Sequence, residues 1–372
     1  MSAVFDEKEL LRYQRHFALA GFGPEAQEKL KLGAVLVIGA GGLGCPALLY
    51  LAAAGVGRIT IIDFDRVDYS NLQRQVLFTE SDVGEYKAIA AERRLHALNP
   101  HVQLEAVVGR FTRENAMDLV AAHDVIVDGS DNFATRYLVN DACVLAKRPF
   151  VYGAVQGFAG QVSVFNWRGG PTYRCLFPEP PAPGTVPNCA EAGVLGVLPG
   201  IIGTAQACEA IKLIAGIGEP LRGRLLLWEA LTMTIQIVSL PVDPSRRAIT
   251  GLPPEGYGET CAAPTGGETE IAAAELRAAL AAGRRPQLLD VREGWERALG
   301  SIEPSVHVPL GELKKGAGGD ALAALDPAKP TVVYCAHGRR SLVGAALLRE
   351  RNGFRSAVSL RGGYEGWKLG SA

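Results

Sequence analysis

The stretch Ala34–Gly44, AVLVIGAGGLG, constrains this chain more than any other. Val35, Leu36, Val37 and Ile38 read as a short buried strand. Gly39, Gly41 and Gly44 follow with the spacing G-x-G-x-x-G, and a helix opens at Cys45-Pro46. Glycines there let the chain turn tightly and let a phosphate approach the backbone. The helix start adds unpaired N–H groups and the positive end of its dipole. Pro46 costs nothing near the first turn, where its missing N–H would have had no partner. A second strand, ITIID, ends at Asp63, ~20 residues past the glycines, where an acidic side chain takes ribose hydroxyls. The pattern predicts a nucleotide-binding α/β domain and leaves NAD and ATP equally open.

At 372 residues, two domains are expected. A net charge of −1 gives no field for nucleic acid or an anionic membrane, so neither is an expected partner. Leu43–Val56 is too short to span a bilayer. Ala192–Ile217 is interrupted by Pro199, Gln206, Glu209 and Lys212, and both runs read as buried or interface helices. No export leader is read at the start. The seven scattered cysteines point to reduced thiols in a cytoplasm.

Asp6–Leu19 reads as an amphipathic helix carrying Arg12, Arg15 and His16. Val83–Leu98 is expected to be helical, with Lys87 in its first turn, and Asn99-Pro100 stops it. Val102–Val108 and Val125–Asp128 are further strands. Asp128 and Asp131 then lie at a carboxyl end of the sheet, where ligands gather. From Phe150 the period changes, and Phe150–Ala154 with Gln161–Asn166 predict a hairpin. Pro178–Pro187 is proline-rich and predicts an exposed mobile loop, with Cys189 just beyond it. Gly200–Ile214 reads as an apolar helix and Gly223–Leu240 as strands. Asp243–Glu270 has no period and reads as a linker. The expected domains are therefore 1–242 and 271–372, joined by 243–270. The second is a smaller α/β unit built from a helix at Ala272–Ala282, strands at Gln287–Val291, Thr331–Cys335 and Ala357–Leu360, and a helix at Ser341–Glu350.

A triphosphate under attack needs more cations than a glycine turn supplies, and a carboxylate able to hold Mg²⁺. Asn71, Arg74, Lys87 and Asp131 favour ATP over NAD. The run IIDFDRVDYSNLQRQ, between GAGGLG and DGSDN, resembles the MoeB/ThiF family, relatives of ubiquitin-activating enzymes. RYQRH near the start, CAEAGVLG and ACEAIK extend the resemblance from Tyr13 to about Leu240. It implies a Rossmann-like ATP-binding domain with a mixed sheet, which adenylates the C-terminal glycine of a ubiquitin-like sulfur carrier ending in Gly-Gly. It also implies that Gly42 and the turn of Gly39, Gly41 and Gly44 lie along the nucleotide, that Asp63 holds the ribose, and that Asn71, Arg74 and Lys87 hold the phosphates. Asp131 supports Mg²⁺ and the attack, and Arg15 reaches the partner's triphosphate in a homodimer. Cys189 resembles the family's crossover-loop cysteine, which captures an acyl group or resolves a disulfide. Many members carry a structural zinc on two Cys-x-x-Cys pairs. Here Thr172 stands in the first pair with Cys175, and Pro241–Ile249 holds no cysteine, so no zinc is expected.

Cys335-Ala-His-Gly-Arg-Arg340 follows the strand TVVY. A cysteine at a strand end beneath a loop meets converging N–H groups, which favour a thiolate and an anion. Cysteine phosphatases place the arginine one residue later, where Ser341 stands; the tighter loop suits a terminal sulfur. With LLDVRE, Val306–Leu310 and LRGGYEGW, the second domain resembles rhodanese. That implies a persulfide on Cys335, with the Arg339/Arg340 rim receiving an anionic donor such as a persulfide or thiosulfate. Cys45, Cys143 and Cys208 read as structural, although a helix start like that of Cys45 can lower a thiol pKa. The combined expectation is a carrier thiocarboxylate for molybdopterin, thiamin or cysteine biosynthesis or tRNA thiolation. Two rivals remain: a thiosulfate sulfurtransferase whose first domain only binds the carrier, and a NAD-dependent oxidoreductase.

Overall fold

The computed structural model describes residues 4–180, 193–253, 257 and 270–369. The chain divides into two compact units, Met1–Thr260 and Cys261–Ala372.

The first unit is built on an eight-stranded mixed sheet. Its strands are β1 (Ala34–Ile38), β2 (Arg58–Asp63), β3 (Gln103–Val108), β4 (Val125–Asp128), β5 (Phe150–Gln156), β6 (Ala159–Phe165), β7 (Arg224–Glu229) and β8 (Thr234–Ser239). The order is β3-β2-β1-β4-β5-β6-β7-β8, parallel as far as β5 and antiparallel after it. Strand β1 lies inside the parallel part and is buried on both faces, which is why it reads as a continuous apolar run. Val35 and Val37 join the core shared with the Gly44–Ala54 and Val197–Ala215 helices. Leu36 and Ile38 enter the opposite core, with Tyr137 and Val139 of the Phe133–Ala146 helix.

Two helix starts in this unit lie three or more residues from the sequence reading. The helix expected from Val83 begins at Lys87. Gly84 has φ +89°, and its N–H and that of Val67 pair Val67 with Gly84 and Glu85 in a turn, so helical geometry cannot begin there. The apolar helix begins at Val197, earlier than Gly200, with Pro199 in its first turn. By length and composition alone this helix could cross a membrane. It is instead bound into the sheet: Gln206 donates to the carbonyls of Asp128 and Val151, and Glu209 accepts from the Leu221 amide. Part of the stretch read as linker also packs on this unit. Tyr257 donates its hydroxyl to Asp141 Oδ2 at 2.8 Å, and Leu252 lies against the same core. Pro178–Glu179–Pro180 precede residues outside the described set, and so the expected mobile loop is described only at its start.

The second unit is a five-stranded parallel sheet, ordered β11-β10-β12-β13-β9. These strands are β9 (Glu270–Ile271), β10 (Gln287–Asp290), β11 (Val306–His307), β12 (Thr331–Tyr334) and β13 (Ala357–Leu360). Leu289 and Val333 face one core and Leu288 and Val332 the other. Two-residue β9 and β11 left no periodic signal to read.

Gly44 shows why the glycine spacing is obligatory. A Cβ there would lie 1.9 Å from the Gly39 carbonyl oxygen. Gly44→Ala is expected to cost about 2–3 kcal/mol, lowering the melting midpoint of the first unit by about 5–10 °C in scanning calorimetry. An unchanged midpoint would show that the turn relaxes without cost.

Candidate functional site

Three loops meet above the carboxyl ends of β1, β2 and β4. The Gly39 amide donates to Ile62 O at 2.9 Å and the Gly129 amide to Ile38 O at 2.8 Å. A Cβ on Gly129 would stand 2.8 Å from Gly39 O, so the two turns touch through backbone alone. Gly41 lies beside Gln75, whose Nε2 would be 3.8 Å from a Cβ there. Gly42 lies beside Pro199 and the Arg74 Cδ, at 3.1 and 3.7 Å on the same measure. Asp63 is buried, its Oδ2 accepting from the Ala40 amide and its Oδ1 from that of Asp65, both at 2.8 Å. Burial pushes its carboxyl up, against the opposing pull of Lys87 and these two amides. Each oxygen retains acceptor capacity for a ribose hydroxyl.

Lys87 does not point into water. It is buried, and its Nζ pairs with Asp65 Oδ2 at 3.0 Å beneath the turn. Asn71 ends a 3₁₀ turn, Tyr69–Asn71, capped by Asp68, and its carbonyl accepts from the Arg74 and Gln75 amides. Arg74 donates from Nη1 to Ser70 O at 3.2 Å and remains half-buried. The paired role expected of Asp128 and Asp131 separates. Asp128 is fully buried, turned inward to the Ser130 amide and hydroxyl, with Arg136 3.8 Å away. Asp131 is exposed and accepts no hydrogen bond among the described residues, so its carboxylate is open to a hard cation. Arg15 lies on the exposed side of the Glu7–Phe17 helix, while Tyr13 and His16 of the same RYQRH motif are structural. Tyr13 accepts from Asn99, and His16 Nδ1 meets Gln27.

The cysteines divide by burial. Cys45 is fully buried, donates to Ala40 O, and has its thiol pushed up to about 12 by burial, so its helix start does not activate it. Cys143 is likewise buried and raised. Cys208 corrects the packing expectation, since it is exposed on its helix. Cys175 forms a clasp rather than half of a metal pair: its Sγ accepts from the Thr172 and Asp243 amides, both at 3.4 Å. Cys189 lies outside the described residues.

In the second unit Cys335 sits at the end of β12, 1% exposed. Among the described residues one backbone amide reaches it, that of Gly338 at 3.1 Å, with the Ser341 hydroxyl at 3.5 Å. Gly363 has φ +58°, and a Cβ there would lie 2.3 Å from Cys335 O; the GGYEG segment therefore clamps the back of the loop, with the Tyr364 amide donating to that carbonyl. The expected arginine rim is not a pair. Arg339 is exposed, but Arg340 forks onto Glu296, Nη1 to Oε2 at 2.7 Å and Nη2 to Oε1 at 2.5 Å. Burial pushes Glu296 up most strongly, but the Arg340 hydrogen bonds, the Glu293 amide and the charges of Arg340 and Arg292 together hold the carboxyl below its usual range. The sequence reading missed Glu296. Its signal was the Glu293-x-x-Glu296 spacing of a helix cap.

The ThiF family model matches residues 13–248, and the rhodanese-like domain model matches residues 272–369. A Mycobacterium tuberculosis protein named "Probable adenylyltransferase/sulfurtransferase MoeZ" is 45% identical over 98% of this chain and 94% of its own length. The Thermus thermophilus "Sulfur carrier protein adenylyltransferase" is 54% identical over 64% of this chain and 90% of its own. Among solved structures, E. coli MccB superposes with a TM-score of 0.57 at 23% identity, over 65% of this chain and 72% of that one, a likeness of fold. This chain belongs to the ThiF family, its ThiF-type domain followed by a rhodanese-like one, as in the adenylyltransferase/sulfurtransferases that match it from end to end.

Proposed function

We propose that the first domain adenylates the C-terminal glycine of a ubiquitin-like sulfur carrier ending in Gly-Gly, and that Cys335 of the second supplies the sulfur. The observation that carries this reading is the convergence of the Gly39–Gly44 turn, Asp63, Arg74 and the buried Lys87, paired with half-exposed Asp65, at one end of the sheet. The carrier carboxylate attacks the α-phosphorus of ATP and pyrophosphate leaves, so negative charge must be offset on both sides of the reacting atom. Arg74, Asn71 and Lys87 are assigned to the phosphates and Asp63 to the ribose. The open carboxylate of Asp131 suits Mg²⁺, which supplies charge neutralisation on the phosphates when bound. The terminal sulfur of the persulfide then attacks the acyl carbon and AMP leaves. Attack by a second thiol on Cys335 Sγ releases the thiocarboxylate and leaves a disulfide; Cys189 is assigned that role by its family resemblance. Tethering the persulfide to the adenylating domain raises its effective concentration over hydrolysis.

A homodimer in which Arg15 reaches the partner's triphosphate is supported by an outward-facing apolar groove lined by Leu19, Phe22, Tyr50, Cys208 and Ile211, beside the helix that carries Arg15. A structural zinc does not fit the Thr172–Cys175–Asp243 clasp, where one thiol is engaged by two amides. Metal analysis of the purified chain should return no stoichiometric zinc, and one zinc per chain would refute this.

Asp131→Ala should abolish carrier-dependent ATP–pyrophosphate exchange while leaving the melting midpoint in place, because Asp131 is exposed and accepts no hydrogen bond among the described residues. Retained exchange would overturn the assignment. Incubating candidate Gly-Gly carriers with the enzyme, ATP and thiosulfate should replace one carrier oxygen by sulfur, read by intact mass, and the carrier that changes names the pathway. Sulfur transfer to cyanide without any exchange would favour the reading in which the first domain only binds the carrier.

A further inference from the structure

We infer that Asp128 and Arg136 are positioning residues for Asp131: they hold Ser130 from inside the fold, so that the Asp131 carboxylate is presented at a fixed place outside it. This rests on the reading that Asp131 meets the Mg²⁺ bound with the nucleotide.

No hydrogen bond or ion pair holds the exposed Asp131 side chain among the described residues. Its place is therefore set by backbone, and the residue before it is gripped at three atoms. Asp128 Oδ1 accepts from the Ser130 amide at 3.0 Å and from the Ser130 hydroxyl at 2.6 Å. Arg136 Nη2 donates to the Ser130 carbonyl at 3.0 Å, which fixes the peptide that enters Asp131. The residue after it is fixed as well. Asn132 caps the Phe133–Ala146 helix, its side chain accepting from the Thr135 amide at 2.8 Å. Asp131 thus stands between two pinned neighbours.

The grip on Ser130 is ionic and dry. Asp128 is 0% exposed and Arg136 7%, with Arg136 Nε 3.8 Å from Asp128 Oδ2. That oxygen accepts no hydrogen bond among the described residues, so Arg136 is the charge that makes the buried carboxylate tolerable. The Arg136 guanidinium also lies 5.5 Å from the Tyr152 ring centroid. Gln206, from the Val197–Ala215 helix, donates to the Asp128 carbonyl at 2.7 Å. Moving either charged partner away would strand the other in the interior, so the pair resists displacement. A carboxylate that must meet a metal gains from such support, because an unsupported one spends binding energy on its own ordering.

Calorimetric titration of the full chain with an ATP analogue whose α,β-bridge cannot be cleaved tests this, with and without Mg²⁺. Arg136→Lys keeps the charge and gives up the planar fork. It should weaken binding of the Mg²⁺ complex about tenfold and leave the metal-free analogue within twofold, because Asp63, Arg74 and Lys87 are untouched. The Mg²⁺ concentration for half-maximal carrier-dependent pyrophosphate exchange should rise in step. Ser130→Ala removes only the hydroxyl bond and should give a smaller loss in the same direction; it carries the test if Arg136→Lys does not fold. In an Asp131→Ala background, Arg136→Lys should add nothing, since both changes act on one contact. The inference is overturned if the folded variants weaken both forms of the analogue equally, if they change neither, or if Arg136→Lys costs as much without Asp131 as with it. Mg²⁺-dependent binding that survives Asp131→Ala intact would instead overturn the metal reading of Asp131, a result separate from the behaviour of Arg136.

Discussion

The close approach of two backbone turns is the constraint on which the first domain depends. The turn after β1 and the turn after β4 touch at Gly39, Gly44 and Gly129, where any side chain would meet a carbonyl oxygen within 3.0 Å. Because β1 pairs with both β2 and β4, this contact brings Asp63, from the end of β2, and Asp131, beyond β4, to the same end of the sheet. Excluding side chains there is what lets a ligand approach the backbone of such a turn. The order β2-β1-β4 reverses direction at β1, which is where open α/β sheets bind nucleotides.

The second domain uses the same device for a different atom. Gly363 presses against the Cys335 carbonyl, and Gly338 presents its amide to the sulfur. In both domains, glycine is required because backbone must lie against backbone. What differs is the supply of charge. In the proposed nucleotide site, Arg74 and Lys87 stand at one end of the sheet. The sulfur loop keeps Ser341 buried beside the thiol, ties Arg340 to Glu296 and, among the described residues, leaves Arg339 without an ion pair.

Ion pairing sorts the cations of both sites. Lys87 is tied to Asp65 and Arg340 to Glu296. Lys87 pairs with a carboxylate that is half exposed, and so a phosphate can compete for it. Arg340 is locked in a bidentate fork with a nearly buried partner, which is far harder to recruit. Sequence position alone gives Arg339 and Arg340 the same standing beside Cys335; only their partners distinguish them.

Much of this protein was legible in its sequence. Strand β1, the glycine turn, the acid at Asp63, the hairpin of β5 and β6, and the Cys335 loop all announced themselves, because each depends on local period or on residue types that few other structures tolerate. The motifs also carried the family, which the comparisons with known proteins bear out. The start of the helix at Lys87 was not legible, since Gly84's positive φ comes from its pairing with Val67 across the turn. Nor was the inward turn of Asp128, or the loss of Arg340 to Glu296, forty-four positions away in the chain. The sequence by itself determined which chemical groups are present and roughly which loop each occupies. Tertiary structure alone decided which charges are free and which are already paired, because a side chain's availability depends on neighbours that only folding brings within a few ångströms.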